Sequence, residues 1–368
     1  MAETAEHLAA AAAEFSPHAP IRRIAPYGNG NINDTFLVRP DPSGPPFILQ
    51  RLNRRVFPRP DLVLQNLRAC TEHVAGRLAC APVAPGRRWE IPRVLIARDG
   101  RDRWIAPDGT FWRAISFIEA AESFDTVQDS RHAEEVGYAL GTFHQLISDL
   151  PPGRLADTLP GFHVTPGYLR HYDGVQARVA PSSLPEVVHA ARFIAARRGF
   201  AGVLEHAKAG GRLRLRPMHG DPKVNNVMID SVTGQAVSLV DLDTVKPGLV
   251  HYDIGDCLRS CCNRLGEETG DWEKVAFECE LCRAILQGYL AAARGFLDAA
   301  DYDYLYDCLH LIAFELGLRF FTDHLEGDVY FKVRHPGQNL LRALVQFQLT
   351  QSIESQATEI RGIIQNLR

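Results

Sequence analysis

His219-Gly220-Asp221-Pro222-Lys223-Val224-Asn225-Asn226 places a carboxylate and an amide five positions apart on a loop bounded by β-prone residues. Twenty residues beyond Asp221, the apolar run Val237-Ser238-Leu239-Val240 ends in Asp241-Leu242-Asp243. Two carboxylates and an amide in this order suit phosphoryl transfer to a hydroxyl, which needs positioning and charge stabilisation more than covalent help. One carboxylate near the acceptor hydroxyl would orient it and take its proton. A second carboxylate and an amide oxygen would hold Mg²⁺ against nucleotide phosphates, because Mg²⁺ takes hard oxygen ligands. Asp and Asn are also common turn residues, but the preceding His219-Gly220, the flanking strands and the spacing all agree with the chemical reading.

Positioning these groups requires strands and a rigid helical base, and the chain offers both. Residues 33–38, 47–52, 93–97, 103–106 and 110–117 are strand-prone, with turn chemistry at 40–46, Asp99-Gly100 and Pro107-Asp108-Gly109. Between them, apolar side chains at 62, 63, 67, 70, 74 and 78 follow Pro60 with helical spacing. From about residue 129 the period is that of long helices. Val136, Leu140, Phe143 and Ile147 form one stripe, and residues 187–204 another. A β-prone island at 218–229 and 237–240, turning at Thr233-Gly234, interrupts this half, and from 251 the helical period runs to the end. A strand-rich lobe at residues 1–116 and a helical lobe at 117–368, joined by a crossing segment near 115–119, make a bilobal α+β plan.

Composition narrows the function. The 368 residues are 46% hydrophobic and 23% charged, as in an ordinary folded protein, and the net charge of −4 argues against a nucleic-acid binder. No stretch approaches the roughly 20 apolar residues of a membrane span. Glu3 and Glu6 stand where a signal peptide wants positive charge, so residues 1–15 read as an amphipathic surface helix and the protein as cytoplasmic. Cys279 and Cys282 form a C-x-x-C pair, with Cys257, Cys261 and Cys262 upstream. Residues 275–286 read as continuous helix without glycine knuckles, so these thiols read as small core hydrophobes rather than metal ligands.

The H-G-D-x-x-x-x-N loop followed by an apolar strand ending in D-x-D resembles the aminoglycoside phosphotransferase and choline kinase family, which has a protein-kinase-like fold. The resemblance implies ATP as co-substrate, Mg²⁺ as cofactor, Asp221 as catalytic base, and Asn226 and Asp241 as metal ligands. It makes Asp243 a second acidic position of variable role, His219 a buttress of the loop, and Asp253 in Tyr252-Asp253-Ile254-Gly255-Asp256 a brace of the large lobe. On the nucleotide side, Gly28 and Gly30 lie in a turn running through Asn33 into a strand, where backbone N–H groups can approach phosphates. Kinases of this kind carry Lys or Arg on the next strand, here Ile48-Leu49-Gln50-Arg51. An overlay gives Gln50 the Lys position and leaves Arg51 as the available cation, and alternation lets only one of them face the cleft. Glu72 is an ion-pair partner or simply a solvated helix residue. Phe117 and Ile118 lie in a segment resembling the hinge whose backbone pairs with adenine.

The acceptor is less plainly written. Residues 246–368 carry 18 acidic and 12 basic side chains, a formal net charge of −6, which suits a cationic acceptor or a solvated helical surface equally. Residues 28–38 with 47–53, and residues 315–331, look like the N-acetylhexosamine 1-kinase branch of the family. That branch phosphorylates the anomeric hydroxyl of N-acetylglucosamine or N-acetylgalactosamine. The likeness implies an amino-sugar partner held by Arg319, Asp323 and Tyr330. Arg319 and Asp323 stand four apart on one helix face, and sugars favour a few polar groups beside an aromatic ring. An i,i+4 surface ion pair would read the same way. The competing readings are a kinase of the same fold for an amino alcohol, homoserine or an aminoglycoside, and a pseudokinase that binds nucleotide without turnover.

Overall fold

Alternation in the first third of the chain is realised as one antiparallel sheet. The computed structural model describes residues 2–28, 32–41 and 44–368. Strands β1 (Ile21–Pro26), β2 (Asp34–Pro40), β3 (Phe47–Arg51), β4 (Trp104–Ile105) and β5 (Phe111–Ser116) lie in the order β1-β2-β3-β5-β4. The register sets Thr35 and Arg113 on either side of Gln50, and Asp34 and Trp112 on either side of Arg51. Residues 93–97 run along β5 without forming a named strand. Val94 bridges Ile115, but the Arg93 N–H is taken by the Ser116 hydroxyl at 2.9 Å, and Pro92 has no N–H to give.

The first helix, α1 (Ala2–Glu14), is more than a surface helix. Ala11, Ala12 and Phe15 are buried with Val38, Phe47, Leu49 and Trp112, so it covers one face of the sheet. Helix α2 (Pro60–Cys80) starts with Pro at its first turn, where the missing N–H is harmless, and buries Val63, Leu67, Cys70 and Val74. Its fully buried Asn66 donates to the carbonyls of Ala156 and Val245, both at 2.8 Å, which ties α2 to the chain just beyond Asp241.

The helical part comprises α3 (Ser130–Ile147), α4 (Thr165–Gln176), α5 (Pro185–Arg197), α6 (Val203–Ala209), α7 (Val250–Cys261), α8 (Cys279–Ala293), α9 (Ala299–Asp303), α10 (Leu305–Leu325), α11 (Gln338–Ser355) and α12 (Ala357–Leu367). The stripe at 187–204 is split by a 3-10 turn at Arg198–Phe200. Residues 275–278 are not helical either, and α8 begins at Cys279. Two small ladders sit among the helices. β6 (Ala121–Glu122), β8 (Val227–Asp230) and β9 (Ala236–Leu239) form one, and β7 (Arg216–Met218) pairs with β10 (Lys246–Gly248) in the other. The loop carrying Asp221 leaves β7 and the loop carrying Asp241 enters β10, so one pair of strands fixes both. No helix among the described residues is long and apolar enough to cross a membrane.

Helices α3 and α8 approach so closely that side chains are excluded between them. A Cβ on Gly137 would lie 1.9 Å from the Ile285 carbonyl oxygen, and one on Gly288 1.9 Å from that of Glu134. This crossing sets His144 of α3 beside Tyr289 of α8, behind the loop that carries Asp221. Gly288→Ala is therefore expected to lower stability by about 3 kcal/mol in urea unfolding, as overpacking does. Gly76→Ala in α2, with open space around it, is expected to stabilise by up to about 1 kcal/mol. Equal effects of the two substitutions would contradict this packing.

Candidate active site

The loop after β7 is held by a single carboxylate. Asp253, on α7 and fully buried, accepts the backbone N–H of His219 at 2.6 Å and of Gly220 at 2.8 Å. His144 donates to the same carboxylate at 2.8 Å and is itself within 3.0 Å of the Tyr289 hydroxyl. Burial alone would raise the Asp253 pKa, but the His144 hydrogen bond and the neighbouring donors hold it below the ordinary carboxylate value. His219 donates from Nε2 to the Val240 carbonyl at 2.9 Å and accepts the Asp221 N–H at Nδ1, 3.2 Å away. Those roles require the neutral ring, and burial accordingly lowers its pKa. At Gly220, φ is +91°, and a Cβ would lie 2.8 Å from Thr244, so only glycine fits.

Three carboxylates converge above this base. Asp221 is paired with Lys223 at 2.8 Å, a cation that sequence reasoning did not single out. The Asn226 amide nitrogen donates to the Asp221 carbonyl at 2.7 Å, turning Oδ1 away from that carbonyl. Asp241 has left-handed backbone angles, φ 61° and ψ 57°, a strained state for a non-glycine residue. Its side chain is exposed to the cleft. Desolvation by the surrounding protein, then the charges of Asp243 and Asp221, hold its pKa up to about 7. Asp241 and the Asn226 amide oxygen supply the hard oxygen donors a divalent cation takes, and a cation there would relieve the repulsion.

On the nucleotide side the structure separates the residues expected to act together. Gly30 lies outside the described residues; Gly28 has φ +73° and open space around it. Asn33 donates to Asp243 at 2.6 Å and accepts the Asn53 N–H at 2.9 Å. Arg51 does not reach the carboxylates. It pairs with Asp34 at 2.5 Å and stands over the Trp112 ring, on the face covered by α1. Glu72 likewise pairs with Arg68 on an exposed face of α2. The cation that does reach them is Arg113 of β5, which bonds both the Gln50 amide oxygen and the Asp243 carboxylate. Its only sequence signal is an Arg in the apolar run Phe111-Trp112-Arg113-Ala114-Ile115, and its partner follows from strand register. Ile118 is buried with Met228 and Val237, and Phe117 stands edge-on to Tyr27 at 5.7 Å, so an apolar layer borders the crossing segment.

Asp221 and Lys223 also border a cavity of about 160 Å³ lined by His163, Glu315, Arg319, Tyr330 and Phe331 among others. The Arg319 guanidinium lies 5.0–5.9 Å from the ring centroids of Tyr168, Phe162, Phe331 and Tyr330. No carboxylate pairs with it among the described residues, so the i,i+4 ion pair with Asp323 that the spacing allowed does not form. Asp323 is buried instead, accepting the backbone N–H groups of Val329, Tyr330 and Phe331 at 2.9, 2.7 and 3.0 Å. It does not line the cavity; it holds the loop that does. His163, which the sequence reading missed, lies between the Glu315 carboxylate at 2.9 Å and the Gly220 carbonyl at 3.1 Å. Both ring nitrogens face acceptors, so the ring donates to both when it is protonated.

Residues 23–299 match the family described as the phosphotransferase enzyme family, and the chain belongs to that family. Among solved structures it is similar to a microcompartment-associated aminopropanol kinase, at 18% identity and a TM-score of 0.60, over 97% of this chain and 98% of the other. It is also similar to an aminoglycoside phosphotransferase from Alicyclobacillus acidocaldarius, at 15% identity and a TM-score of 0.61, over 94% and 93%. A choline kinase from Cryptosporidium parvum gives 14% identity and a TM-score of 0.57, over 93% and 91%. The fold is thus α+β and protein-kinase-like.

The His163 clamp carries a pH signature. Burial disfavours the imidazolium, but Glu315 outweighs it and raises the pKa above the ordinary 6.5. The stabilisation is therefore complete below that unfolded value and is lost as pH rises through the higher folded one. Thermal melts across this alkaline side are expected to fall more steeply for the wild type than for His163→Gln. Parallel profiles would contradict the charged clamp.

Proposed function

We propose that this member of the phosphotransferase enzyme family is an ATP-dependent kinase that phosphorylates the anomeric hydroxyl of an N-acetylhexosamine. The observation that carries the acceptor class is Arg319. Aromatic rings around a cavity are where an ammonium group would be expected to dock; here the chain's own guanidinium fills that place, beside Asp221. A choline, ethanolamine or aminoglycoside cation would meet a fixed like charge, and the cavity's carboxylates Glu315 and Asp256 are already paired with His163 and Arg259. A neutral sugar meets hydrogen-bond donors and ring faces. The likeness of residues 315–331 to the N-acetylhexosamine 1-kinase branch supports the same class.

In this reading Asp221 accepts the proton of the C1 hydroxyl as its oxygen attacks the γ-phosphorus, and the bond to the β–γ bridging oxygen breaks, releasing ADP. Lys223, paired with Asp221, places positive charge where the transferred phosphoryl group passes. Asp241 and Asn226 would hold Mg²⁺, which when bound neutralises charge on the phosphates. Asp253, through the His219 and Gly220 amides, keeps Asp221 at its station. Arg319 and Tyr330 bind the sugar, and Asp323 acts on it only through the loop it anchors.

ADP release with Mg·ATP is expected for N-acetylglucosamine or N-acetylgalactosamine, with loss of the sugar's reducing end, and not for choline, ethanolamine, homoserine or kanamycin. Asp221→Asn is expected to lower kcat by about 10²–10⁴-fold with nucleotide binding intact. Arg319→Ala should act chiefly by raising the sugar KM. Turnover on an amino alcohol or aminoglycoside would overturn the acceptor assignment, and nucleotide binding without turnover on any acceptor would favour the pseudokinase.

A further inference from the structure

We propose that Arg113, on β5, is the residue that binds the nucleotide phosphates, in place of a lysine on β3. The assignment rests on the ATP-dependent reading above. Position 50, where an overlay on this family places lysine, is Gln50, and Arg51 is drawn to the other face of the sheet by Asp34. Gln50 is not idle: its amide oxygen accepts two hydrogen bonds from Arg113, at 3.0 Å from Nε and 2.8 Å from Nη2, and its amide nitrogen donates to the Thr35 hydroxyl at 3.2 Å. The neutral side chain on β3 thus holds the cation supplied by β5, directly across the register.

Three features mark Arg113 as more than a core ion pair. Nη2 also bonds Asp243, the second carboxylate of the D-x-D segment, so the cation stands at the metal-binding end of the cleft. Asp243 is shared with Asn33, which follows the glycine turn, so the same cluster joins the turn, the sheet and the carboxylate loop. Finally, Nη1 is buried without a hydrogen-bond partner among the described residues, in a side chain only 2% exposed. An unpaired charged donor is costly to retain in a native structure, and its retention points to a partner that arrives with a ligand. A phosphate oxygen suits it, because a guanidinium presents several donors in one plane and can keep Gln50 and Asp243 while gaining an anion.

Direct binding separates this role from a structural one. Titration calorimetry would compare ADP with adenosine for the wild type, Arg113→Gln, Arg113→Lys, Arg51→Ala and the relocated-cation variant Q50K/R113Q. The expected result is that Arg113→Gln weakens ADP at least tenfold while adenosine binding stays within twofold. Arg51→Ala should leave both unchanged, and Q50K/R113Q should recover most of the ADP affinity. Arg113→Lys keeps the charge and guards against a collapsed cleft; it should lose less than Arg113→Gln. ADP affinity within twofold of wild type in Arg113→Gln would overturn the assignment, as would an equal loss for adenosine, which would mark a scaffold residue. A wild type that binds neither ADP nor ATP would remove the kinase reading itself, a result distinct from an Arg113-insensitive enzyme.

Discussion

One buried carboxylate carries the loop that presents Asp221. Asp253 has no contact with solvent, yet its oxygens are satisfied by two consecutive backbone amides and by His144. A buried charge is tolerable only when fully hydrogen-bonded, and removing a partner from such a group typically costs about 3–5 kcal/mol. The loop therefore has little freedom to leave Asp253, and Asp221 next to those amides inherits its position. The requirement propagates outward. His144 must reach Asp253 from α3, Tyr289 must back it from α8, and the two helices must approach at Gly137 and Gly288 for both to fit. His163, from outside this layer, holds the Gly220 carbonyl on the other side.

Charge in the cleft is divided between two places. Near the D-x-D segment, Arg113 lies against Asp243, a cation and an acid brought together where a metal–nucleotide complex would lie. In the cavity beside Asp221, Arg319 stands among aromatic rings, and no carboxylate pairs with it among the described residues. The formal charge of residues 246–368 is negative, but among the described residues none of these acids forms an ion pair with Arg319. Several of them are spent on the scaffold, such as Asp256 on Arg259, Asp301 on Arg216 and Glu315 on His163. A net count over a lobe cannot reveal this, because what an acceptor meets is the unpaired remainder in one cavity.

The same distinction explains what was readable in the chain. The loop around Asp221, the D-x-D segment, the helix at α2 and the strand-then-helix order are local patterns, and the structure shows them where spacing placed them. A structural role for Asp253 was implied by the family resemblance of Tyr252–Asp256, but its hold on the His219 and Gly220 amides shows only in the structure. Arg113 and His163 were not, because each acquires its role through residues far away in sequence, Asp243 and Glu315 respectively. Arg51 and Asp323 have the right residue types and lie near the right segments, but pairing with Asp34 and with a neighbouring loop takes each of them elsewhere. Strand alternation foretold that Gln50 and Arg51 would part; only the register showed that neither meets the carboxylates and that Gln50 faces Arg113, which does.

The most direct test is a crystal structure with Mg²⁺, a non-hydrolysable ATP analogue and N-acetylglucosamine. The account predicts the sugar in the cavity beside Arg319 and Tyr330, its C1 hydroxyl within hydrogen-bond reach of Asp221, roughly 2.6–3.2 Å, and in line with the γ-phosphate. A sugar bound with another hydroxyl at Asp221, or excluded from that cavity while the nucleotide is bound, would contradict it.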